Sequence, residues 1–563
     1  MRGKIFVACA LFLVASVTPA GIEDTVHNLG SGGPGDVRAL TEERICIFCH
    51  APHRTTGAPP LWNRGDSTAS YLLYGSTTFD ATPGQPTGAS RMCLSCHDGT
   101  VALGDVASEP VEFEFAPERR FLDPATGSLT TDLGDDHPIS FPYDANLVSQ
   151  DPELLAPLSI TLPVRLDAAG ELQCTSCHDP HDDLYGDFLR LVPTGGALCN
   201  SCHAKTDWPT SVHATSAATW NGITPDPWPD SDDATVADND CRSCHGSHNA
   251  AQPARLVKRA PEEDACLVCH NANVAAIDLE TDFGKPYRHP VDMSQGVHDP
   301  LEDPLLAPRH VECVDCHDPH QASTEAATAP SASGALRGVS GIDADGQPVE
   351  QAAFQYEVCF ACHGDGTSAN QAIPRTAGEI NTRLEFETAA ISFHPVVQSG
   401  KNTDVPSLIP PLTEASQIYC TECHASDAAG SGGSLGPHGS QNRFLLRERY
   451  ETEDGFAESS ALYALCYRCH SRNVLLIDKR SGFVEHAKHV VEENASCSAC
   501  HDPHGVSATA GTPTGNSHLI SFDTRIVSPS SKNQGVLEFV DLGFQSGSCT
   551  LTCHGQDHDG EDY

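Results

Sequence analysis

Twelve times along this 563-residue chain a pair of cysteines is followed at once by a histidine. The first six sets are Cys46, Cys49 and His50; Cys93, Cys96 and His97; Cys174, Cys177 and His178; Cys199, Cys202 and His203; Cys241, Cys244 and His245; and Cys266, Cys269 and His270. They continue with Cys313, Cys316 and His317; Cys359, Cys362 and His363; Cys420, Cys423 and His424; Cys466, Cys469 and His470; Cys497, Cys500 and His501; and Cys549, Cys553 and His554. Eleven read C-x-x-C-H, and the last, CTLTCH, carries one extra residue. Two thiols three positions apart in a turn can form thioethers to both vinyl groups of one porphyrin, with the next histidine held under the iron.

These pairs use 24 of the 25 cysteines, and the remaining one, Cys9, lies in the apolar start of the chain. Only 29 residues are histidine, so twelve adjacencies do not arise by chance. A disulfide scaffold has no need of a histidine beside every pair. Zinc sites place their histidines variably. The motifs therefore predict twelve covalently attached haems c.

Each iron then needs a sixth ligand. The methionines beyond the first residue are Met92 and Met293, and Met92 faces the wrong side of the haem that Cys93 would hold. Histidine is the ligand in supply. One after each motif gives His53, His137, His181, His213, His248, His289, His320, His394, His438, His489, His504 and His558, with His27, His298, His310, His486 and His518 as alternates. His558 competes with His518, and His489 with His486. A histidine three residues past the proximal one, as in CHDPH, is tethered on the proximal side of its own haem and must serve a neighbour. Such pinning draws porphyrins together, as a multi-centre electron wire requires. Histidine at both axial positions implies low potentials and no open iron.

The elements that position these motifs follow from composition. Apolar content is 39%, aromatics are 6% and there are 40 prolines, so an ordinary polypeptide core would be thin. Porphyrins would supply the missing apolar surface. The expected fold is mostly irregular loops with short α-helices wrapped around a chain of covalent haems, with little β and each motif at a helical turn. Residues 1–20 read as a signal peptide, with a basic start, an apolar run and a small-residue end. Six two-haem modules follow, over 21–140, 141–225, 226–300, 301–400, 401–490 and 491–563. Residues 321–347, rich in Ser, Ala and Gly, read as a surface loop. The fifth module has Asp427 where others place the extra histidine. No later stretch reaches the roughly 18 apolar residues of a membrane span. A net charge of −43 excludes nucleic acid as a partner, since phosphate binding needs basic surface.

The strings HNLGSGGPG, ICIFCHAPH and CLSCHDGTVALGD, the repeated CHDPH and the closing CTLTCHG resemble multihaem c-type cytochromes with doubled C-x-x-C-H motifs. That group includes periplasmic carriers, cytochromes of outer-membrane conduits and extracellular cytochrome filaments of metal-reducing bacteria. The resemblance implies an exported electron-transfer protein, extracellular or at the cell surface, with the periplasm as the alternative. Its partners would be redox proteins or acceptors such as minerals, metal ions and electrodes. In filaments a histidine of one subunit can ligate a haem of the next, and His27, spare in the count above, is the candidate for that part here. A multihaem reductase of nitrogen or sulfur oxyanions is the competing reading. It requires an open or lysine-ligated iron, and no C-x-x-C-K occurs.

Overall fold

A computed structural model describes residues 21–53, 61–293, 298–303, 306, 310–365 and 372–563. The leader expected over residues 1–20 lies outside them. Regular structure is sparse. The two longest described helices, Gly88–His97 and Gln355–His363, each end on the histidine of a motif. The other described α-helices run four to six residues. Chains this rich in proline and glycine cannot propagate helix beyond a turn or two.

Most described strands are two-residue pairings. The exception is a C-terminal antiparallel sheet, in which Ser546–Cys553 pairs with Val527–Ser528, Glu538–Gly543 and Gln556–Asp562. This sheet corrects one expectation. Cys549 and Cys553 lie on a strand rather than in a helical turn, because the extra residue of CTLTCH no longer closes a four-residue repeat.

The described chain groups into two compact units, Met1–Ala204 with His245–Leu256, and Lys205–Cys244 with Val257–Tyr563. In the first, small clusters form around Phe48, Leu103 and Phe115 and around Phe141, Tyr143 and Leu172. Arg64 is fully buried beside them and donates to the carbonyls of Ser95, Ala102 and Leu103 at 3.1, 2.8 and 2.7 Å. It thereby satisfies three loop carbonyls that water cannot reach. In the second unit, clusters gather around Phe360, Phe386 and Phe393 and around Phe522, Val527 and Phe539. Motif cysteines border each of these clusters, so the apolar residues flank the motifs rather than fill a separate core.

Candidate haem-ligand site

The spacing of C-x-x-C-H closes a turn. The histidine N–H bonds to the carbonyl of the first cysteine in His50, His178, His203, His270, His317, His424, His470 and His501, at 2.8–3.0 Å. This is the i→i−4 bond of one helical turn. It fixes both thiols and the imidazole on one short element.

Opposite these histidines stand others. In the first unit, His27 faces His97, His181 faces His50, His137 faces His203 and His248 faces His178, with ring centres 6.2, 6.0, 6.2 and 6.2 Å apart. In the second, His213 faces His270, His289 faces His363 and His438 faces His317, at 6.2, 6.2 and 6.1 Å. There too His394 faces His470, His504 faces His424 and His486 faces His501, at 6.4, 6.0 and 6.4 Å. Two metal–imidazole bonds of about 2.0 Å, plus about 1.1 Å from each nitrogen to its ring centre, require a separation near 6.2 Å. Packed aromatic rings have no reason to hold one such distance ten times. The residues fit an iron porphyrin between each pair.

Hydrogen bonds at the second nitrogen orient the rings. Proximal Nδ1 atoms of His97, His178, His245, His317, His424 and His501 contact the backbone carbonyls of Gly127, Asp187, Arg255, Ala335, Phe444 and His518 at 2.7–3.0 Å. Donation from Nδ1 leaves the Nε2 lone pair free for a metal. Burial keeps the imidazoles neutral, pushing His270, His424, His470 and His501 down to about 4. Burial also lowers His248 and His504, but Asp136 at 3.0 Å and Glu385 at 3.2 Å outweigh it, and both sit above the usual imidazole value.

A device that the sequence reading missed sets the facing histidines. His27, His213, His289 and His394 contact, through Nδ1, the carbonyls of Pro180, Pro319, Pro437 and Pro503. Each of these prolines immediately precedes a second histidine: His181, His320, His438 or His504. Two-residue strand pairs reinforce the arrangement. Tyr287–Arg288 pairs with Gly439–Ser440, and Ser392–Phe393 with Gly505–Val506. A Cβ on Gly439 would lie 1.8 Å from the Asp282 carbonyl oxygen, and one on Gly505 2.1 Å from that of Ser392. Only glycine permits the approach. In the first unit, the His137 N–H reaches the Ser247 carbonyl, beside His248. So facing histidines from different modules stand back to back and reach different motifs: His27 and His181 face His97 and His50, and His394 and His504 face His470 and His424. The recurring Pro-His and His-Gly dipeptides were the available signal.

The last motif departs from its expected part. His554 contacts Asp454, whereas His489 and His558 face each other at 6.2 Å. His554 has φ +52° in the hairpin turn that follows the strand. His489 and His486 were competing alternates, and the structure uses both, from a helical stretch that widens to π over Lys488–Glu492. His518 instead contacts Asn402 and Asp541. His53 is exposed. His320 packs against Trp208 at 5.9 Å. His27, counted as spare, faces His97 of the same chain.

The cysteine thiols stand where thioether sulfurs would be. Cys93 lies close enough to Cys174 for the two thiols to perturb each other, as do Cys266 and Cys313, Cys359 and Cys420, and Cys466 and Cys497. Burial, then the neighbouring thiol Cys96, raises Cys49. Burial, then Cys202, does the same to Cys177; burial, then Cys359, to Cys316; burial, then Cys469, to Cys423; and burial, then Cys553, to Cys500. Within each unit, the thiols of successive motifs therefore lie near one another in chain order.

Motifs for covalent haem, turns that present a histidine beneath each, and facing histidines at metal-spanning distance define a multihaem c-type cytochrome, an electron-transport protein. Comparison with known proteins agrees. Residues 167–207 and 234–275 match the doubled CXXCH motif family, and residues 344–512 match domains II/IV of MtrC/MtrF-like outer membrane cytochromes. The multiheme cytochrome MtrA of Shewanella baltica (strain OS185) is 24% identical over 283 residues, which is 48% of this chain and 60% of the relative. The chain thus spans about three-fifths of that relative's length. No helix among the described residues is long and apolar enough to cross a membrane.

Proposed function

We propose that the chain conducts electrons along twelve closely spaced haems, as an exported link between a redox donor and acceptors outside the cell. The observation that carries this reading is the chain-order proximity of cysteines of successive motifs. Each haem would supply a one-electron couple. The polypeptide does the rest. Turn-closing hydrogen bonds fix the attachment points, and proline carbonyls and buried carboxylates aim the facing imidazoles. Neighbouring thiols of successive motifs would bring porphyrin edges near one another, where electron tunnelling, which decays exponentially with distance, would be fast. Two imidazoles per iron leave no position for substrate, which favours transfer over oxyanion reduction.

The likeness to outer membrane cytochrome domains supports a location at or beyond the outer membrane. A filament form rests now on His53. It occupies the CHAPH position equivalent to His181, His248 and His504, each of which faces a motif histidine, and like His181 and His248 it is exposed, where a haem of a second copy could reach it.

Mass spectrometry and pyridine haemochrome assay of the mature holoprotein should count twelve haems, and the oxidised EPR spectrum should be low-spin throughout. A substantial high-spin signal that shifts on adding nitrite or sulfite would support the reductase reading instead. Electron microscopy separates filament from monomer, and in a filament His53→Ala should abolish assembly while keeping the haem count.

A further inference from the structure

One facing pair has no cysteines to go with it. His298 and His310 stand 6.3 Å apart, both outside every C-x-x-C-H, while the nearest motif, Cys313–His317, already has His438 opposite its own histidine. In place of thiols, this pair has carboxylates. The donor atoms of His298, Glu302, His310 and Asp315 all lie within 4.8 Å of one another.

The separations are those of ligands around one small ion. His298 Nδ1 lies 3.4 Å from Asp315 Oδ1 and 3.4 Å from Glu312 Oε2, and His310 Nε2 lies 3.0 Å from Glu302 Oε1. Tetrahedral ligands at about 2.0–2.1 Å from a metal are about 3.3 Å from each other. A porphyrin does not fit, because the carboxylates occupy the slab it would need.

A second observation points the same way. Glu312 is 6% exposed, and its Oε2 is a buried oxygen with no hydrogen bond; His298 Nδ1 is likewise buried with none. Two such atoms 3.4 Å apart are too close to ignore each other, and leaving both unsatisfied in a buried position is costly. A cation between them satisfies both. The surroundings hold the cage in shape. Asp315 Oδ2 accepts the Glu312 N–H at 2.6 Å, leaving Oδ1 for His298, and the His298 N–H bonds to Glu262 Oε2 at 2.7 Å.

We propose that His298, Glu302, His310 and Asp315, with Glu312 as an added carboxylate, bind one non-haem divalent transition ion of the zinc or ferrous class. Mixed imidazole and carboxylate donors select such ions, whereas calcium and magnesium prefer oxygen alone. Asp315 lies between Cys313 and Cys316, so the ion would sit at the edge of the haem held there. Its positive charge favours the electron-rich reduced haem, which makes the site a means of raising one potential in the chain.

The test uses chelator-treated holoprotein and zinc, which elemental analysis distinguishes from haem iron. One equivalent of Zn²⁺ should survive gel filtration and resist a hundredfold excess of Ca²⁺. It should be lost in His298→Ala and His310→Ala, and kept in His518→Ala. If either alanine variant fails to mature with its full haem complement, the isosteric pair Glu302→Gln and Asp315→Asn is read in the same way. Zinc should also shift one-twelfth of the redox titration to higher potential in the wild type and not in the variants. Absence of a retained equivalent, equal retention in the variants, or displacement by Ca²⁺ would each overturn the proposal.

Discussion

Replacing Glu385 by glutamine should raise the potential of a single haem, the one between His424 and His504. Glu385 is buried, and its Oε2 accepts from His504 Nδ1 at 3.2 Å. Donating to a carboxylate gives an imidazole imidazolate character, which stabilises ferric over ferrous iron. With the two rings 6.0 Å apart, the carboxylate stands roughly 7 Å from the midpoint between them, and at an effective dielectric of about 20 one charge there contributes about 2.4 kcal/mol. For a one-electron couple that is about 100 mV, and local relaxation should reduce it to about 50–100 mV. Glutamine keeps the shape and an acceptor oxygen while removing the charge. The assay is spectroelectrochemical titration at several wavelengths, comparing variant and wild type with the haem count verified. One-twelfth of the amplitude should move upward by that amount while the rest is unchanged. A shift under about 10 mV, or a downward one, would refute the argument that this carboxylate acts on the ligand electronically.

At the other ligand sets, the outcomes divide by residue. His27→Ala should leave one haem high-spin by EPR without loss of haem, since His27 faces His97 in the same chain. His558→Ala should produce a high-spin last haem, whereas His554→Ala should leave it low-spin; the reverse result would restore His554 as the ligand. Arg64→Ala strands three buried carbonyls and should cost about 3 kcal/mol or more, read as a lower thermal midpoint with an unchanged visible spectrum. Acid should act in one direction. An iron-bound imidazole carries no proton on its ligating nitrogen, whereas one released on unfolding titrates near about 6.5, so the unfolded state takes up more protons below that value. Stability should therefore be flat above about pH 6.5 and fall as pH drops toward 4, as thermal midpoints across that range would record.

The sequence declared the haem chemistry because covalent attachment needs residues at fixed local spacing, and no tertiary contact can substitute for Cys174, Cys177 and His178. The sparse fold was legible for a related reason: too little apolar surface remains to build anything else. Which histidine faces which was not legible, since that depends on loops meeting across a hundred residues or more. His289 contacts the Pro437 carbonyl and His394 that of Pro503, and neither partner shows in local spacing. The CHDPH geometry did exclude service to its own haem, and the structure places His181 opposite His50 and His504 opposite His424. Counting failed where it assumed equivalence. His27 was held spare because the number of candidates exceeded the number of irons, yet it faces His97. His554 was taken as proximal because it follows a cysteine; in the structure the cysteines of CTLTCH lie on a strand and His554 contacts Asp454.

The central claim is that haems held by successive motifs abut in chain order with both axial positions closed. A haem-bearing experimental structure of the mature protein tests it most directly. Each porphyrin within a unit should lie edge against edge with the one before it, and each iron for which a facing pair is named above should lie between those two imidazoles. A gap of a whole porphyrin width between successive haems within a unit, or an iron open to solvent between His424 and His504, would contradict it.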